Sequence, residues 1–599
     1  MRKVAVAACA AIAWALVVVP PATAAAADPN FGPNVFIFDP SMPQSQIQAT
    51  VDSIALQQVP NQFGGQRYAL LFEPGTYGTA THPLNFQVGY YTQVAGLGLS
   101  PSDVVINGSV YVRNQCFGPG NCTALDNFWR SLSNLTINVH TPGFGCYSGE
   151  FWAVSQAAPM RRVRVNGFAT LMDYCTPPSF ASGGFIADSE FTGSTIVNGS
   201  QQQWITRNSV IDGWTNAVWN QVFSGVTGAP AQQFPNPPYT VLATSPVTRE
   251  APYLYKDSTG TFDVFVPAAQ RNKSGTTWGA GQTPGVSIPL DRFFVATPAD
   301  SAAAINSAIH RGKNLLLTPG VYNVDEAIDV TRPDSVVLGL GLPTLVPTQG
   351  NAAMTVARAK GMIVSGVIFD AGPLSSPVLL QVGGGSHARS DAEIDDPSLL
   401  SDVFFRVGGA AAGRATTALV VGSDNTILDD IWAWRADHGN GVGWTVNTAD
   451  TGVVIDGDNV TAYGLFVEHF QKYEVLWNGE GGTDVFFQNE MPYDVPSQAA
   501  WMEAPGVDGF AAFKLADGVG GFHGYGMGSY SFFNQGIDIF AERAFEVPPT
   551  LPSGSLRDLL TIFLDPSHGK GGILHVVNES GGSSTIANPD VPVTVVSYP

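Results

Sequence analysis

Charged side chains are scarce in this sequence of 599 residues, and basic ones are the scarcest. Only 13% of the residues are charged, with 28 Lys and Arg against 49 Asp and Glu, which gives a formal net charge of −21 at pH 7. Nucleic acids, anionic membranes and polyuronates all favour a basic surface, so this balance disfavours each of them as a partner. It is compatible with a neutral ligand.

Long apolar runs are absent beyond the N-terminus. Residues 1–3 form a short basic start, residues 4–19 are apolar, and the segment ATAAAA before Asp28 offers several A-x-A cleavage sites. This pattern is typical of a secretory signal peptide, here cleaved near residues 24–27, with a retained anchor as the alternative. No later stretch approaches the roughly 18 apolar residues of a membrane-spanning helix. We therefore expect a secreted protein that does not bind a membrane.

Cysteine is also rare. Of five Cys, Cys9 lies in the signal peptide, and the other four occupy one region at Cys116, Cys122, Cys146 and Cys175. An even number of clustered Cys in an exported chain indicates disulfides. Among the three possible pairings we favour Cys116–Cys122 with Cys146–Cys175. No CxxC motif or His cluster accompanies the Cys, so we expect no metal and no other cofactor.

A long-range internal repeat is the most informative feature of the chain. Four elements recur in the same order. The first occurrence contains FIFDP (36–40), a helix-like stretch to about 57, LLFEPGTY (70–77) and VAGLGLSP (94–101). The second contains FVATP (294–298), a helix-like stretch to 310, LLLTPGVY (315–322) and VLGLGLP (337–343). The third pair is offset by 245 residues (70 to 315) and the fourth by 243 (94 to 337). The sequence therefore predicts two homologous halves, each opening with strand, helix, strand, Pro-Gly turn and strand.

Short apolar strands separated by polar or Gly-rich turns follow each opening, at spacings of about 19–36 residues. Such strands suit the coils of a parallel β-helix. A β-propeller is the alternative, but it would need four strands at an even period of about 40–50 residues. A (β/α) barrel is poorly supported because no helical segments intervene.

We therefore predict an all-β chain of two tandem right-handed parallel β-helices. Its predicted segments are a signal peptide at 1–27, an N-terminal β-helix at 28–231, an ordered linker with a hairpin at 232–290, and a C-terminal β-helix at 291–599 that carries the catalytic candidates.

Residues 463–501 place two Glu on neighbouring predicted strands. The strands cover 465–469 and 485–489 and are joined by a Gly-containing turn. Side chains alternate along a strand, so Phe466 and Glu468 face one way while Leu465 faces the other.

The spacing of these two Glu permits hydrolytic chemistry. Stacking Leu465 over Val485 would put Glu468 over Gln488, with Glu490 two residues further along and about 8 Å from Glu468. Two carboxyls roughly 6.5–9.5 Å apart leave room for a water and a glycosidic bond, which is the inverting arrangement.

Two Glu on strands are by default a solvated sheet face. Aromatic neighbours and the scarcity of charge favour a functional site here. Pro492 and Tyr493 crowd Glu490, and desolvation would raise its pKa and keep it protonated near neutral pH. Glu468 would stay ionised and polarise a water together with a Gln from the first half.

Several segments together resemble glycoside hydrolase family 55: the tandem openings, DDIWAWRADH (429–438), VEH (467–469), QNEMPY (488–493) and GMGSYSFF (526–533). The resemblance implies exported tandem β-helices and inverting hydrolysis of a neutral β-glucan, with exo-acting β-1,3-glucanases common in the family. It implies that Glu490 is the general acid and that Glu468 helps to hold the nucleophilic water. It also implies that Gln202 or Gln203 reaches this site from the first half.

The chain departs from the family pattern near the acid. Met491 stands where we expect Thr or Ser, Asp494 where we expect Tyr, and Gly439 where we expect Asp. These differences leave the chemistry in place and bear on substrate preference.

Further substrate contacts are predicted around the two Glu. Asp437 and His438 suit a supporting role, with a buried structural ion pair as the alternative. The Trp at 432, 434, 444, 477 and 501 offer stacking faces, although any single Trp more often packs in a core. We take Trp434, Trp477 and Tyr493 as the aromatic candidates for substrate binding.

Three other classes of protein compete with the hydrolase. The main alternative is a non-catalytic carbohydrate-binding or surface β-helix. A polysaccharide lyase is less favoured because β-elimination needs basic residues, and a purely structural β-helix comes third. We expect a monomer that binds a neutral polysaccharide or oligosaccharide.

Overall fold

The computed structural model describes Met1 and residues 29–118, 121–199, 202–215, 218–383 and 395–599. Apart from Met1, the predicted signal peptide lies outside these ranges. Within them, α-helix is confined to Gln44–Gln58 and Ala302–His310, and neither is long and apolar enough to cross a membrane.

The first half is a stack of parallel strands in sequence order. Its main sheet runs through Val35–Phe38, Tyr68–Phe72, Thr92–Gly96, Arg130–Val139, Met160–Asn166, Gly184–Ala187, Trp204–Arg207, Gln221–Ser224 and Tyr239–Leu242. Five strands extend this sheet sideways: Gly75–Tyr77, Leu84–Gln87, Val104–Tyr111, Glu190–Thr192 and Val210–Ile211. A second, short sheet contains Glu150–Phe151, Ala169–Thr170, Ile196–Val197 and Trp214–Thr215.

The second half repeats this construction with longer strands. Its main sheet contains Phe293–Ala296, Asn314–Leu317, Val336–Gly339, Ile363–Asp370, Ser398–Val407, Thr426–Arg435, Thr461–Glu468, Gly482–Glu490, Phe522–Ser531, Leu556–Phe563 and, antiparallel at the end, Val593–Tyr598. Val321–Val324 and Thr344–Pro347 extend it. A second sheet contains Ile328–Val330, Met354–Val356, Ser376–Val382, Ala415–Val421, Ala449–Ile455, Val475–Trp477, Phe513–Leu515, Phe540–Glu546, Gly572–Val577 and Ser584–Thr585. The predicted tandem parallel β-helix fold is confirmed.

The segment between the halves is ordered. The first parallel sheet continues past the predicted boundary at residue 231, because Tyr239–Leu242 pairs in parallel with Gln221–Ser224 despite the prolines before it. Antiparallel pairs follow, Ser245–Thr248 with Gln270–Lys273 and the hairpin Tyr253–Lys256 with Phe262–Pro267, to which Gly285–Pro289 adds. The antiparallel hairpin expected from the sequence is present.

The internal repeat is visible as a shared hydrogen bond. The Tyr77 hydroxyl donates to the carbonyl of Phe38 at 2.6 Å, and the Tyr322 hydroxyl donates to the carbonyl of Ala296 at 2.8 Å. Phe38 and Ala296 are the last residues of the first strand in each half. The two Pro-Gly-x-Tyr segments therefore occupy equivalent positions in two β-helices, as the 245-residue offset predicts.

Both predicted disulfides are present in the first half. Cys116 bonds to Cys122 across a short hairpin, and Cys146 bonds to Cys175 over a separation of 29 residues.

A bend interrupts the alternation of side chains in the long strands. Gly464 and Phe486 have φ of +66° and +79° and lie at the same level of neighbouring strands. After the bend, Leu465 and Phe487 face the core of the second β-helix, whereas Val485 before it packs between the halves. At the bend, two consecutive residues of each strand therefore lie on the face turned away from the core of the second β-helix, and alternation resumes after them.

The predicted register of these two strands is wrong for this reason. Glu468 lies directly opposite Glu490 rather than Gln488, and Leu465 is not opposite Val485. The prediction assumed unbroken alternation. The two Glu backbones are one strand spacing apart, about 4.8 Å, instead of about 8 Å.

The two halves pack against each other through an apolar cluster. Phe185 and Ile205 of the first half belong to it, together with Phe466 and Phe486 of the second. The approach is close: a Cβ on Gly464 would lie 2.7 Å from the ring of Phe185. Burial of this apolar surface favours association of the halves.

A buried ionic network crosses the same interface. Arg161 of the first half donates to Asp402 and Asp429 of the second, and Arg207 donates to Asp429 and to Glu250. Although burial raises the pKa of Asp429, the two guanidinium groups hold it below its ordinary value. Separating the halves would leave these charges unpaired, which fixes their relative placement.

Candidate active site

A cleft between the two halves holds both Glu candidates. Glu468 and Glu490 end their strands at the same edge of the main sheet. The cleft contains about 540 Å³ of space, part of it open to solvent. Its lining comes from both halves: Leu125, Asp126, Phe128, Gln156, Ser182 and Gln202 from the first, and Trp434, Asp437, His438, Glu468, His469, Glu490, Tyr493 and Leu564 from the second.

Glu468 is buried and bonded at both carboxyl oxygens. Its Oε1 accepts a hydrogen bond from the Gln156 amide at 2.9 Å, and its Oε2 accepts one from the Trp432 indole N–H at 2.8 Å. Trp432 lies on the preceding strand, whereas Gln156 comes from the first half. The position of this carboxyl therefore depends on both halves.

Glu490 is also held by two donors. The Gln202 amide donates to its Oε1 and the Tyr493 hydroxyl to its Oε2. The Nε2 atom of His469 lies 3.8 Å from Oε2. Of the two predicted Gln candidates, Gln202 is the one that contacts Glu490.

The amides of the first half connect the two carboxyls. Besides bonding Glu468, the Gln156 amide donates to Gln202 Oε1 at 2.8 Å. A continuous chain of hydrogen bonds thus runs from Glu468 through Gln156 and Gln202 to Glu490. The polar groups between the carboxyls mark a position suited to a water or a sugar hydroxyl.

Gln203 faces away from this chain. Its amide nitrogen donates to the carbonyl of Gly526 at 2.9 Å, and its Oε1 accepts from the Tyr530 hydroxyl at 3.1 Å. The predicted contact of Gln203 with substrate is therefore replaced by a contact between the halves.

Burial governs the ionisation of both Glu. Desolvation raises the pKa of Glu490, and the charge of Asp437 adds to this, while His469, Tyr493 and Gln202 oppose it. Desolvation and the charge of Glu490 raise the pKa of Glu468 well above its ordinary value. The raised pKa of Glu468 is a feature that the sequence did not predict. The negative charge of one carboxyl therefore opposes ionisation of the other.

Asp437 and His438 form an ion pair on the cleft wall. The Asp437 Oδ1 and His438 Nδ1 atoms are 2.8 Å apart, and the Gln62 amide of the first half lies 2.6 Å from His438 Nε2. Although burial opposes both ionisations, the pairing lowers the pKa of Asp437 to about 2 and raises that of His438. Both side chains are partly exposed to the cleft rather than buried in a core.

The aromatic candidates occupy different places. Tyr493 bonds Glu490, and Trp434 lines the cleft at the edge of an aromatic cluster, with its ring 5.2 Å from that of Trp432. Trp477 is fully buried in the core of the second β-helix and packs on Phe513. The prediction that Trp477 binds substrate is wrong, because its strand belongs to the second sheet and its ring faces inward.

The residues that depart from the family pattern have structural partners. Asp494 accepts two hydrogen bonds of 2.9 Å from Arg435, which also donates to the carbonyl of His469 at 3.1 Å. Met491 is buried in the core, and its carbonyl accepts from His469 Nδ1 at 3.2 Å. Asp494 and Met491 thus brace His469 beside Glu490.

Gly439 is required by its backbone conformation. Its φ is +99°, and a Cβ there would lie 2.7 Å from both the carbonyl of Gly409 and the ring of Phe63. An Asp would not fit in this loop unless both the Gly409 backbone and the Phe63 ring moved.

Two functional groups were missed from the sequence. Gln156 lies in SQAAP, which carries no motif, and its contact with Glu468 spans 312 residues. Trp432 was considered only as a stacking face, yet its indole N–H bonds the carboxyl. Its strand, DDIWAW, lies two coils before that of Glu490 and next to that of Glu468, and this neighbouring position could have indicated the contact.

Comparisons with known proteins agree with this geometry. Residues 293–490 match the family model described as the LAM55 pectate lyase-like domain. A curated exo-beta-1,3-glucanase of Streptomyces sp. (strain SirexAA-E / ActE) is 49% identical over 572 residues, which are 95% of this chain and 90% of that protein.

Two solved structures are also similar. That of sacteLam55A from Streptomyces sp. SirexAA-E is 47% identical, with a TM-score of 0.88 over 95% of this chain and 99% of that one. A Glu-to-Ala variant of the same protein in complex with glucose matches at 47% identity and a TM-score of 0.86, over 96% and 99% of the two chains. The chain belongs to glycoside hydrolase family 55.

Proposed function

We propose that this chain is a secreted hydrolase that releases sugar from the ends of β-1,3-glucan chains with inversion at the anomeric carbon. The observation that carries the proposal is the pair Glu468 and Glu490, buried in one cleft and linked through Gln156 and Gln202. The similar exo-beta-1,3-glucanase supports the substrate class and the mode of attack.

Glu490 is the general acid in this proposal. One of the two neighbouring carboxyls carries the proton, and in this proposal it is Glu490, because an ionised Glu468 beside it favours the protonated form that gives its proton to the leaving glycosidic oxygen. Gln202 and Tyr493 fix the carboxyl, which aims the proton at one position in the cleft. Fixed geometry of this kind reduces the entropic cost of the step.

Glu468 holds the attacking water. Both of its oxygens already accept hydrogen bonds from the protein, which suits a base that polarises a water better than a nucleophile that attacks carbon. After Glu490 gives its proton to the leaving group, Glu468 takes one from the water, so the pair still carries one proton and one negative charge. The backbones of the two Glu are one strand spacing apart, so inversion needs other groups to make room for the water. The amides of Gln156 and Gln202, which lie between the two carboxyls, hold them apart.

The shape of the cleft supports attack at chain ends. Its internal cavity of about 140 Å³ is small, which favours the end of a sugar chain over a long stretch of polymer. A neutral sugar is held there by amides, hydroxyls and aromatic edges, with Asp437 and His438 available for hydroxyl groups.

We also propose export and a monomeric state. The basic and apolar N-terminal pattern and the two disulfides support export, since disulfides form in oxidising compartments. The net charge of −21 disfavours self-association.

The proposal is tested by sugar release from a panel of polysaccharides. Laminarin, a β-1,4-glucan and a polyuronate are each incubated with the protein and with Glu490→Gln as the matched control. We expect glucose from laminarin only, and only with the unaltered protein. Binding of laminarin without release would identify a carbohydrate-binding protein and contradict the proposal.

A further inference from the structure

Two neighbouring Gln of the first half are turned in opposite directions. Gln202 faces the cleft and donates to Glu490, whereas Gln203 enters the second half. Both are buried, with 4% and 0% of their surface exposed. A shift of the Gln203 backbone would therefore move Gln202 relative to the acid.

Gln203 is anchored at both ends of its amide. The nitrogen donates to the carbonyl of Gly526 and the oxygen accepts from the Tyr530 hydroxyl. Gly526 and Tyr530 lie on one strand of the second half, Phe522–Ser531. The Gln203 side chain therefore bonds two positions of that strand that are four residues apart.

Gly528, midway between these two anchors, makes room for the amide. A Cβ on Gly528 would lie 2.1 Å from Gln203 Oε1 and 2.9 Å from its Cδ, so Gln203 would have to move. The φ of Gly528 is not in the left-handed region, so the backbone does not itself require glycine there. The space taken by Gln203 explains the missing side chain.

The anchoring strand is the direct neighbour of the acid strand. Tyr530 lies opposite Glu490 in the parallel register, and its carbonyl accepts the backbone N–H of Met491 at 2.9 Å. The same part of the first half therefore contacts the acid through Gln202 and the acid's neighbour in the sheet through Gln203.

We propose that Gln203, Gly528 and Tyr530 form a latch between the halves that positions Gln202 on Glu490. These three are positioning residues, because none of them faces the cleft. The inference rests on the proposed role of Glu490 as general acid. Gly528 and Tyr530 of the segment GMGSY (526–530) would thus contribute to catalysis without contacting the substrate.

The first test compares Gly528→Ala with Gly518→Ala, where an added Cβ would have no atom within 4 Å. Gly528→Ala displaces Gln203 and, with it, Gln202. We expect kcat on laminarin to fall by about 10²-fold, the effect of a misplacement of about 1 Å. Activity on an aryl β-glucoside with a good leaving group should fall much less, since it needs little help from the acid. Gly518→Ala should change neither.

A second variant covers the case in which Gly528→Ala does not fold. Tyr530→Phe removes one hydroxyl from the latch, and Tyr463→Phe is its control, a buried Tyr of the same sheet whose hydroxyl donates to the carbonyl of Val247. We expect both to lower the melting temperature similarly, but only Tyr530→Phe to lower kcat on laminarin.

The pH profile separates positioning from general destabilisation. Gln202 lowers the pKa of Glu490, so loosening that contact raises this pKa and moves the basic limb of the profile of kcat against pH to higher pH.

A double variant tests the clash itself. Combining Gln203→Ala with Gly528→Ala removes the side chain that the added Cβ would meet, so the double variant should melt at a higher temperature than Gly528→Ala alone. Its activity should be no higher than that of Gln203→Ala, because the latch is still missing. The latch is refuted if Gly528→Ala or Tyr530→Phe keeps both the wild-type kcat and the wild-type basic limb of the pH profile, while Glu490→Gln is inactive. Full activity of Glu490→Gln would instead refute the proposed function.

Discussion

Glu468 and Glu490 lie directly opposite each other on neighbouring parallel strands, yet the link between their carboxyls is made by two amides from the other half of the chain. The second β-helix supplies the acids, and the first supplies the groups that hold them apart and in place.

Replacing Glu490 by Gln should abolish turnover of natural glucan. The variant keeps the shape of the side chain but has no proton to give to the leaving oxygen, and general acid catalysis contributes roughly 10²–10⁴-fold. We expect unchanged folding and laminarin binding, and a much smaller loss on an activated aryl β-glucoside. Near wild-type kcat on laminarin would show that another group is the acid.

Gln156→Ala should lower kcat although Gln156 carries no charge. The change removes the donor to Glu468 Oε1 and the bond to Gln202 Oε1, and leaves a buried carboxyl oxygen without its partner, at a cost of about 1–3 kcal/mol in stability. We expect a loss of roughly 10²-fold in kcat. Gln46→Ala, at an exposed Gln of the helix Gln44–Gln58 in the same half, is the control. Equal activities of the two variants would remove Gln156 from the mechanism.

Asp437→Asn should move the basic limb of the pH profile downward. The pairing with His438 and the charge of His469 keep Asp437 ionised, with a pKa of about 2, and its negative charge raises the pKa of Glu490. Without that charge Glu490 loses its proton at lower pH, so activity is lost at lower pH. The measurement is kcat against pH at saturating laminarin, and an upward shift would contradict this assignment.

The Cys146–Cys175 disulfide should stabilise the first half more than Cys116–Cys122 does. The first closes a separation of 29 residues and the second one of 6, and the entropic effect of a cross-link grows with loop length. Replacing Cys146 and Cys175 by Ser should cost about 2–4 kcal/mol. Melting temperatures of the two double variants test the order, and mass mapping of the non-reduced protein should find both bonds.

The repeated architecture was predictable because it rests on local patterns. The Pro-Gly-x-Tyr segments recur with a shared role, in which Tyr77 and Tyr322 each bond the end of the first strand. The alternation of Leu465 and Val467 into the core was also predictable, since both follow the bend.

The register and the contacts between the halves were not predictable in the same way. Phe486 adopts a left-handed conformation within a strand, which alternation alone does not reveal for a bulky residue. Gln156 and Arg161 meet partners more than 200 residues away, as their separations of 312 and 241 show. Such pairs depend on how two separate β-helices dock, which no local pattern encodes.

The anomeric form of the first sugar released tests the central claim most directly. Laminari-oligosaccharides are mixed with the protein in the NMR tube, and the H1 signals of glucose are recorded before mutarotation equilibrates them. Water held by Glu468 on the face opposite Glu490 predicts α-glucose as the first product, and none with Glu490→Gln. Initial release of β-glucose would show that the configuration is retained and would contradict the roles assigned to the two Glu.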